Sequence, residues 1–294
     1  MKQILIVEDD SFLNKMVAYN LTADGYGVTS ALNARTAADA IRQREFDLVL
    51  LDINLPDGNG FDHIDTAKFY GNEQDVFQGI VDSNIPRKEV FVTTKIWNDD
   101  MRAHNQREVI EQSIENLGGD YIDMLLIHWP VKDVFVETWK IMEEYYKKGC
   151  IRAIGVSNFH KHHMEELLKS AEIIPVCNQI ELHPYLSQVE LVDYNSEHDI
   201  ATECWGPLAR GKIFSDDTLQ AIADKYDKTV SQIVIRWEIQ RGLITIPKSV
   251  HPDRIIENSQ VFDFELNSDD MKLINNLNEN KRMMPDVNPD TFTF

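Results

Sequence analysis

Short apolar runs alternate with longer amphipathic stretches along almost the whole chain, and this alternation leaves few folds open. ILIV (4–7), Tyr26 to Ala31 and FDLVLLDINL (46–55) read as strands. Between them, Phe12, Met16, Val17 and Leu21 recur at helical spacing after the capping Ser11, and Asp24-Gly25 stops that helix. A second, Ala-rich helix is predicted from Asn33 to Glu45, and Pro56-Asp57-Gly58-Asn59-Gly60 is a turn cluster. Seven more strand-like runs follow: HIDTA (63–67), VFVTTKI (90–96), YIDMLLIHW (121–129), AIGVSNF (153–159), VCNQIEL (176–182), IATECW (200–205) and LITIPKS (243–249). Helices are predicted at 72–83, 104–117, 135–149, 161–170, 187–198 and 216–240, with a terminal helix at 268–279. Near-continuous apolar runs are what parallel strands covered on both faces require. Seven strands with intervening helices therefore imply a parallel α/β sheet, one strand short of a closed eight-stranded barrel.

Charge narrows the partners. The chain carries 29 basic and 49 acidic side chains, a net charge of −20, which argues against a general nucleic-acid or anionic-membrane partner. No stretch reaches the roughly 18 apolar residues of a membrane helix. The N-terminal apolar run is closed at once by Glu8, Asp9 and Asp10, so no signal peptide fits. Cys150, Cys177 and Cys204 form no CxxC pair and read as reduced thiols of a cytoplasmic protein. His160, His162 and His163 have no neighbouring Cys or acid in a ligand pattern and read as a solvated helix start.

Four polar residues stand at or just beyond the ends of three successive strands: Asp65 and Tyr70, then Lys95, then His128. In a parallel barrel all such ends open onto one face. A lysine closing an apolar run is costly to bury without a carboxylate, and Asp65 is available. An ammonium beside a tyrosine lowers the phenol from its usual value of about 10 and makes it a proton donor near neutral pH. With His128 hydrogen-bonding a substrate oxygen, the set suits protonation of a carbonyl. Singly, such residues more often serve as a salt bridge, a helix cap or turn packing, and only the ordered set is specific.

HIDTAKFYGNE (63–73), FVTTKIW (91–97), YIDMLLIHWP (121–130), GCIRAIGVSNF (149–159), NQIELHPY (178–185) and IPKSVHPDRIIEN (246–258) resemble the aldo-keto reductases, NADPH-dependent (β/α)8 barrel enzymes, in family order from about residue 61 to 294. The resemblance implies Tyr70 as general acid, Lys95 as its partner, Asp65 as the carboxylate pairing with Lys95, and His128 as the residue orienting the carbonyl. It implies Ser157, Asn158 and Gln179 around the nicotinamide carboxamide and Trp205 against its ring. Lys248, Ser249, Arg254 and Asn258 fall to the 2′-phosphate and Glu257 to the adenine. Gly206 departs from the family's usual Ser.

The first sixty residues carry a second resemblance. Glu8 and Asp9 after one strand and Asp52 after its neighbour place three carboxylates together, which suits weak Mg2+ binding. ILIVEDD (4–10) and FDLVLLDINLPDGNG (46–60) are similar to the receiver domain of response regulators, in which Asp52 accepts a phosphoryl group. That likeness stops near Asp62, without the receiver's switch Ser/Thr and phosphate-binding Lys, while the reductase-like part lacks the family's hairpin, first strand and first helix.

The expectation is an α/β chimera: a (β/α)8 TIM-like barrel in which a flavodoxin-like βαβαβ receiver fragment (1–60) replaces the first βα unit of a barrel remnant (61–294), merged in one globular domain. The expected function is NADPH-dependent reduction of a small aldehyde or ketone, with a catalytically silent scaffold or a phosphorelay module as alternatives. One geometric question stays open. Only seven residues separate Leu55 from His63, too few for a helical crossover between parallel neighbours, so either those strands are not neighbours or FDLVLLDINL takes the slot of HIDTA and Asp65 and Tyr70 leave the site.

Overall fold

The computed structural model describes residues 2–7, 11–23, 25–32, 36, 40, 48–51, 63–285 and 287–291. The chain divides into two compact units, Met1–Asp62 and His63–Phe294. The predicted helix from Asn33 to Glu45 lies almost wholly outside the described residues, as do Glu8, Asp9 and Asp52.

In the first unit β1 (Gln3–Val7), α1 (Ser11–Ala23), β2 (Gly27–Ala31) and β3 (Leu48–Leu51) follow the predicted order. The strands form a parallel sheet in the order β2-β1-β3, with Leu5 opposite Thr29 on one side and Val49 on the other. The central strand buries Ile4, Leu5 and Ile6, and Asn14 of α1 donates to the Ala31 carbonyl at 3.0 Å.

In the second unit seven parallel strands form one sheet, in sequential order: β4 (His63–Asp65), β5 (Phe91–Ile96), β6 (Ile122–Ile127), β7 (Ile151–Ser157), β8 (Cys177–Glu181), β9 (Ala201–Trp205) and β10 (Ile244–Thr245). Sequential order with a helical crossover between most neighbours is the winding of an α/β TIM-like barrel. HIDTA keeps the slot beside VFVTTKI, with Asp65 opposite Thr93. It belongs to a different sheet from β3, so the short connection crosses between no parallel neighbours and the geometric conflict disappears.

The crossover helices are α2 (Glu73–Asp82), α3 (Asn98–Arg102), α4 (Gln106–Asn116), α5 (Phe135–Lys147), α6 (Lys161–Leu168), α7 (Val189–Glu197), α8 (Asp217–Tyr226) and α9 (Val230–Gln240), followed by α10 (Pro252–Ser259) and α11 (Ser268–Asn275). The single helix predicted at 216–240 is two. Asp227 takes a left-handed conformation (φ 53°), and Thr229 starts the next helix with a capping box to Gln232. LITIPKS yields only a two-residue strand, because Pro247 has no amide hydrogen to extend the ladder.

Every residue of β6 is buried, as a strand covered on both faces must be. One core cluster packs Trp139, Phe135 and Phe159 against the β5–β7 region, and a second gathers around Trp237 of α9. Among the described residues no helix is long and apolar enough to cross a membrane.

Gly155 of β7 shows how closely the strands that position the site are packed. A Cβ there would stand 2.7 Å from Leu126 Cδ2 and 2.8 Å from the Cys177 carbonyl oxygen, and the latter is backbone held in the sheet. Gly155→Ala is expected to destabilise the chain by about 1–3 kcal/mol, read as a lower midpoint in urea unfolding at an unchanged slope.

Candidate active site

The strand ends deliver the four residues to one place. Register sets Lys95 opposite Leu126, one position before the end of β5, and His128 immediately follows β6. The Lys95 side chain is 1% exposed, and its Nζ donates to Asp65 Oδ1 at 2.5 Å and to the Thr66 carbonyl at 2.9 Å. Those two acceptors make a buried ammonium tolerable.

Tyr70 arrives by a device that the apolar pattern did not show. Beyond β4 the chain makes a one-turn helix, Lys68–Tyr70, in which the Tyr70 amide donates to the Ala67 carbonyl at 2.9 Å. Gly71 closes it in the left-handed region (φ 67°), where a side chain would be strained. Thr66 Oγ1 donates to Asn72 Oδ1 at 2.7 Å, and Thr94 Oγ1 of β5 donates to Glu73 Oε1 at 2.7 Å, which ties the start of α2 to the sheet. The Tyr70 ring lies with its centroid 5.5 Å from Lys95 Nζ and edge-to-face with His128 at 6.0 Å, while half of its surface stays open to solvent. Phe69 stacks on Trp97 at 3.9 Å, and Trp97 meets His128 at 5.0 Å. Neither Phe69 nor Trp97 was singled out from the sequence; both are aromatic residues beside a motif residue, which is the only signal they leave.

His128 is buried, and burial followed by the nearby Lys95 ammonium pushes its pKa down to about 3. The imidazole is therefore neutral at physiological pH. Its backbone is fixed on both sides, the amide donating to the Ile96 carbonyl and the carbonyl accepting from Asn158 Nδ2 at 3.0 Å, while Nδ1 is buried with no hydrogen-bond partner among the described residues.

On the adjoining strands Ser157, Asn158, Gln179 and Trp205 are already knitted together. Ser157 Oγ donates to the Gln179 carbonyl at 2.9 Å. Asn158, held at φ 63°, donates from Nδ2 to Ser157 Oγ and accepts from Trp205 Nε1 at 2.8 Å, which orients the indole. Gln179 Nε2 donates to Asp65 Oδ2 at 2.8 Å and to Glu203 Oε1 at 2.7 Å, so both amide hydrogens are used and what the side chain can still offer is its acceptor Oε1. Gly206 sits at φ 66°, a conformation in which the residue lacking a Cβ is the unstrained choice.

The third group lies between β10 and the start of α10. Lys248 and Arg254 are exposed there, and Ser249 Oγ accepts from the His251 amide at 3.1 Å. Glu257 accepts from Thr229 Oγ1 at 2.8 Å, and Asn258 is buried. A helix start carrying Pro252 in its first turn, flanked by Lys248 and Arg254, has the charge and amide pattern of an anion site.

Two features went unseen in the sequence. Glu203 is buried behind Gln179, and only its position inside a strand run hints at that. The His160, His162 and His163 cluster is not the bare solvated face expected. Asp290, from 130 positions away, accepts from His160 Nδ1 at 2.7 Å, while Arg282 donates to His160 Nε2 at 2.9 Å and His163 Nδ1 accepts from the His160 amide. Those contacts close the cluster as a hydrogen-bonded clasp on the C-terminal segment.

The aldo/keto reductase family model matches residues 54–279, and the response regulator receiver domain model matches residues 4–74. The chain is 49% identical over 236 residues to a glyoxal reductase of Bacillus subtilis, covering 80% of this chain and 85% of that protein. It is 46% identical to the methylglyoxal reductase DkgA of Escherichia coli, with 79% and 85% covered. Among solved structures, an aldo-keto reductase, MGS-M4, from a deep-sea metagenome superposes with a TM-score of 0.77 at 44% identity, covering 80% of this chain and 87% of that one. A mutant of Gox0644 in complex with NADPH superposes at 0.75 with 41% identity, covering 80% and 86%. The chain belongs to the aldo/keto reductase family, with receiver-domain sequence at its N-terminus.

Two predictions follow from the buried charges. Asp65→Asn strands the Lys95 ammonium and is expected to cost about 3 kcal/mol of stability. The double variant Asp65→Asn/Lys95→Met is expected to lose less than the two single variants combined, as measured in a urea double-mutant cycle. For His128, the unfolded chain binds more protons than the folded one between about pH 3 and the unfolded value of 6.5. Its contribution is complete above 6.5 and is lost as the pH falls toward 3, so His128→Gln should flatten the acid side of the stability-against-pH curve.

Proposed function

We propose that the chain reduces the carbonyl group of a small aldehyde or ketone to the alcohol with NADPH, and that Tyr70 is the general acid. The observation that carries this reading is the buried Lys95 ammonium, neutralised by Asp65 on one side and facing the half-open Tyr70 ring on the other. The same ammonium disfavours a second positive charge nearby, and burial acts in the same direction. His128 therefore meets a carbonyl oxygen as a neutral imidazole that orients it without competing for its proton. Phe69, stacked on Trp97, borders the Tyr70 and His128 side of the site.

NADPH, when bound, supplies the hydride to the carbonyl carbon. The residues present fit it. Gln179, with both amide hydrogens engaged, would offer its acceptor to the carboxamide amine, and Ser157 and Asn158 would complete that corner. Trp205, held by Asn158, is a platform of the right size for the ring. Lys248, Ser249, Arg254 and Asn258 would hold the 2′-phosphate, and Glu257 the adenine. Tyr70 delivers its phenolic proton to the carbonyl oxygen as the carbon accepts the hydride, so no charge is left on the product oxygen. Relatives named for glyoxal and methylglyoxal make those two dicarbonyls the first substrates to try.

NADPH consumption with methylglyoxal is expected to fall by about 10² or more in Tyr70→Phe, while NADPH still quenches tryptophan fluorescence in the variant. Binding with no wild-type turnover would select a silent scaffold in place of an enzyme.

A further inference from the structure

Behind the Lys95–Asp65 pair lies a second carboxyl group that this reaction does not use. Glu203 stands in the middle of β9, fully buried, opposite Gln179 on β8 and Ile244 on β10. Its Oε1 accepts from Gln179 Nε2 at 2.7 Å, and the same nitrogen donates to Asp65 Oδ2 at 2.8 Å. The other Asp65 oxygen takes the Lys95 ammonium. One amide nitrogen thus bridges two acids, and one ammonium serves the whole row.

The groups facing Glu203 come from every strand around it: Asp65 from β4, Lys95 from β5, Cys177 and Gln179 from β8, and Cys204 beside it on β9. Cys177 Sγ lies 3.8 Å from Glu203 Oε2, and β10 contributes the uncharged Ile244 and Thr245. Burial, and then the Asp65 charge, push the Glu203 carboxyl up to about 7, against the opposing pull of Gln179, Lys95 and Cys177.

Resting on the carbonyl-reductase reading above, we propose that Glu203 is a positioning residue for that reaction. Through Gln179 it locks the Asp65 carboxylate against Lys95 and turns the Gln179 acceptor outward, and its charge state sets the upper pH limit of reduction. An amide in a symmetric setting can turn over and exchange its oxygen and nitrogen. Two acids on one side forbid this, because only the NH₂ group can satisfy both. When Glu203 ionises, a negative charge appears behind the ammonium and offsets part of its field at the reacting oxygen, which keeps proton delivery available to higher pH.

Glu203→Gln keeps an acceptor for Gln179 and removes the charge; Glu203→Leu removes both. In Glu203→Gln the upper limb of the kcat/KM profile for NADPH-dependent reduction is expected to move down by roughly half a pH unit, with turnover at pH 6 kept within about threefold. In Glu203→Leu the NADPH Kd is expected to rise roughly tenfold as well. A carboxyl-labelled glutamate NMR titration of the wild-type chain gives a readout free of turnover. One resonance should titrate near pH 7, vanish in Glu203→Gln and move to higher pH in Lys95→Met. A resonance in the ordinary carboxylate range, one indifferent to Lys95→Met, or superimposable pH–rate profiles would each overturn the proposal. If the wild-type chain turns nothing over, the carbonyl-reductase reading falls, and the NMR titration still decides whether Glu203 is coupled to Lys95.

Discussion

A lysine ammonium with 1% of its side chain exposed must have its charge answered within a few ångströms, and most of the site is arranged to do so. Asp65 supplies the charge and the Thr66 carbonyl a second acceptor. Asp65 in turn has an oxygen left over, which recruits Gln179, and Gln179 has a hydrogen left over, which recruits Glu203. The row extends from β4 to β9 through the barrel interior. Breaking it at any point leaves a buried charge or a buried amide hydrogen without a partner, which is why these residues act as a unit.

The same ammonium shapes what surrounds it. Burial, reinforced by that ammonium, holds His128 neutral, and the ammonium faces the Tyr70 ring. The proposed chemistry draws on a steep local contrast: one cation inside, one neutral imidazole beside it, and a phenol on the open side. The overall charge of −20 has little bearing there, because a few neighbouring groups in a poorly solvated interior outweigh distant, solvent-screened ones. Lys248 and Arg254 make the same point at the far end, as a small cationic corner of an acidic molecule.

The fold was legible because it rests on local patterns. Continuous apolar runs gave the strands of the seven-stranded sheet and their order, and the helices between them followed from spacing. The misreadings are equally local. A continuous amphipathic pattern from 216 to 240 concealed Asp227 in a left-handed turn, and Pro247 cut a predicted strand short. The strand-end positions of Asp65, Lys95 and His128 were readable since parallel winding sends such ends to one face. The Lys68–Tyr70 turn that aims the phenol was not, because one turn of helix leaves no periodicity to detect.

The sequence by itself determined the alternation of strands and helices, the identity of the four polar residues and the family they point to. All of these are properties of residue type and spacing along the chain. Tertiary structure decided whether HIDTA held its place beside β5, that one amide joins Asp65 to Glu203 across 114 and 24 positions, and that Asp290 clasps a histidine cluster 130 residues away. Those outcomes depend on distances between chain segments and on burial, and neither exists until the strands have come together and covered their side chains.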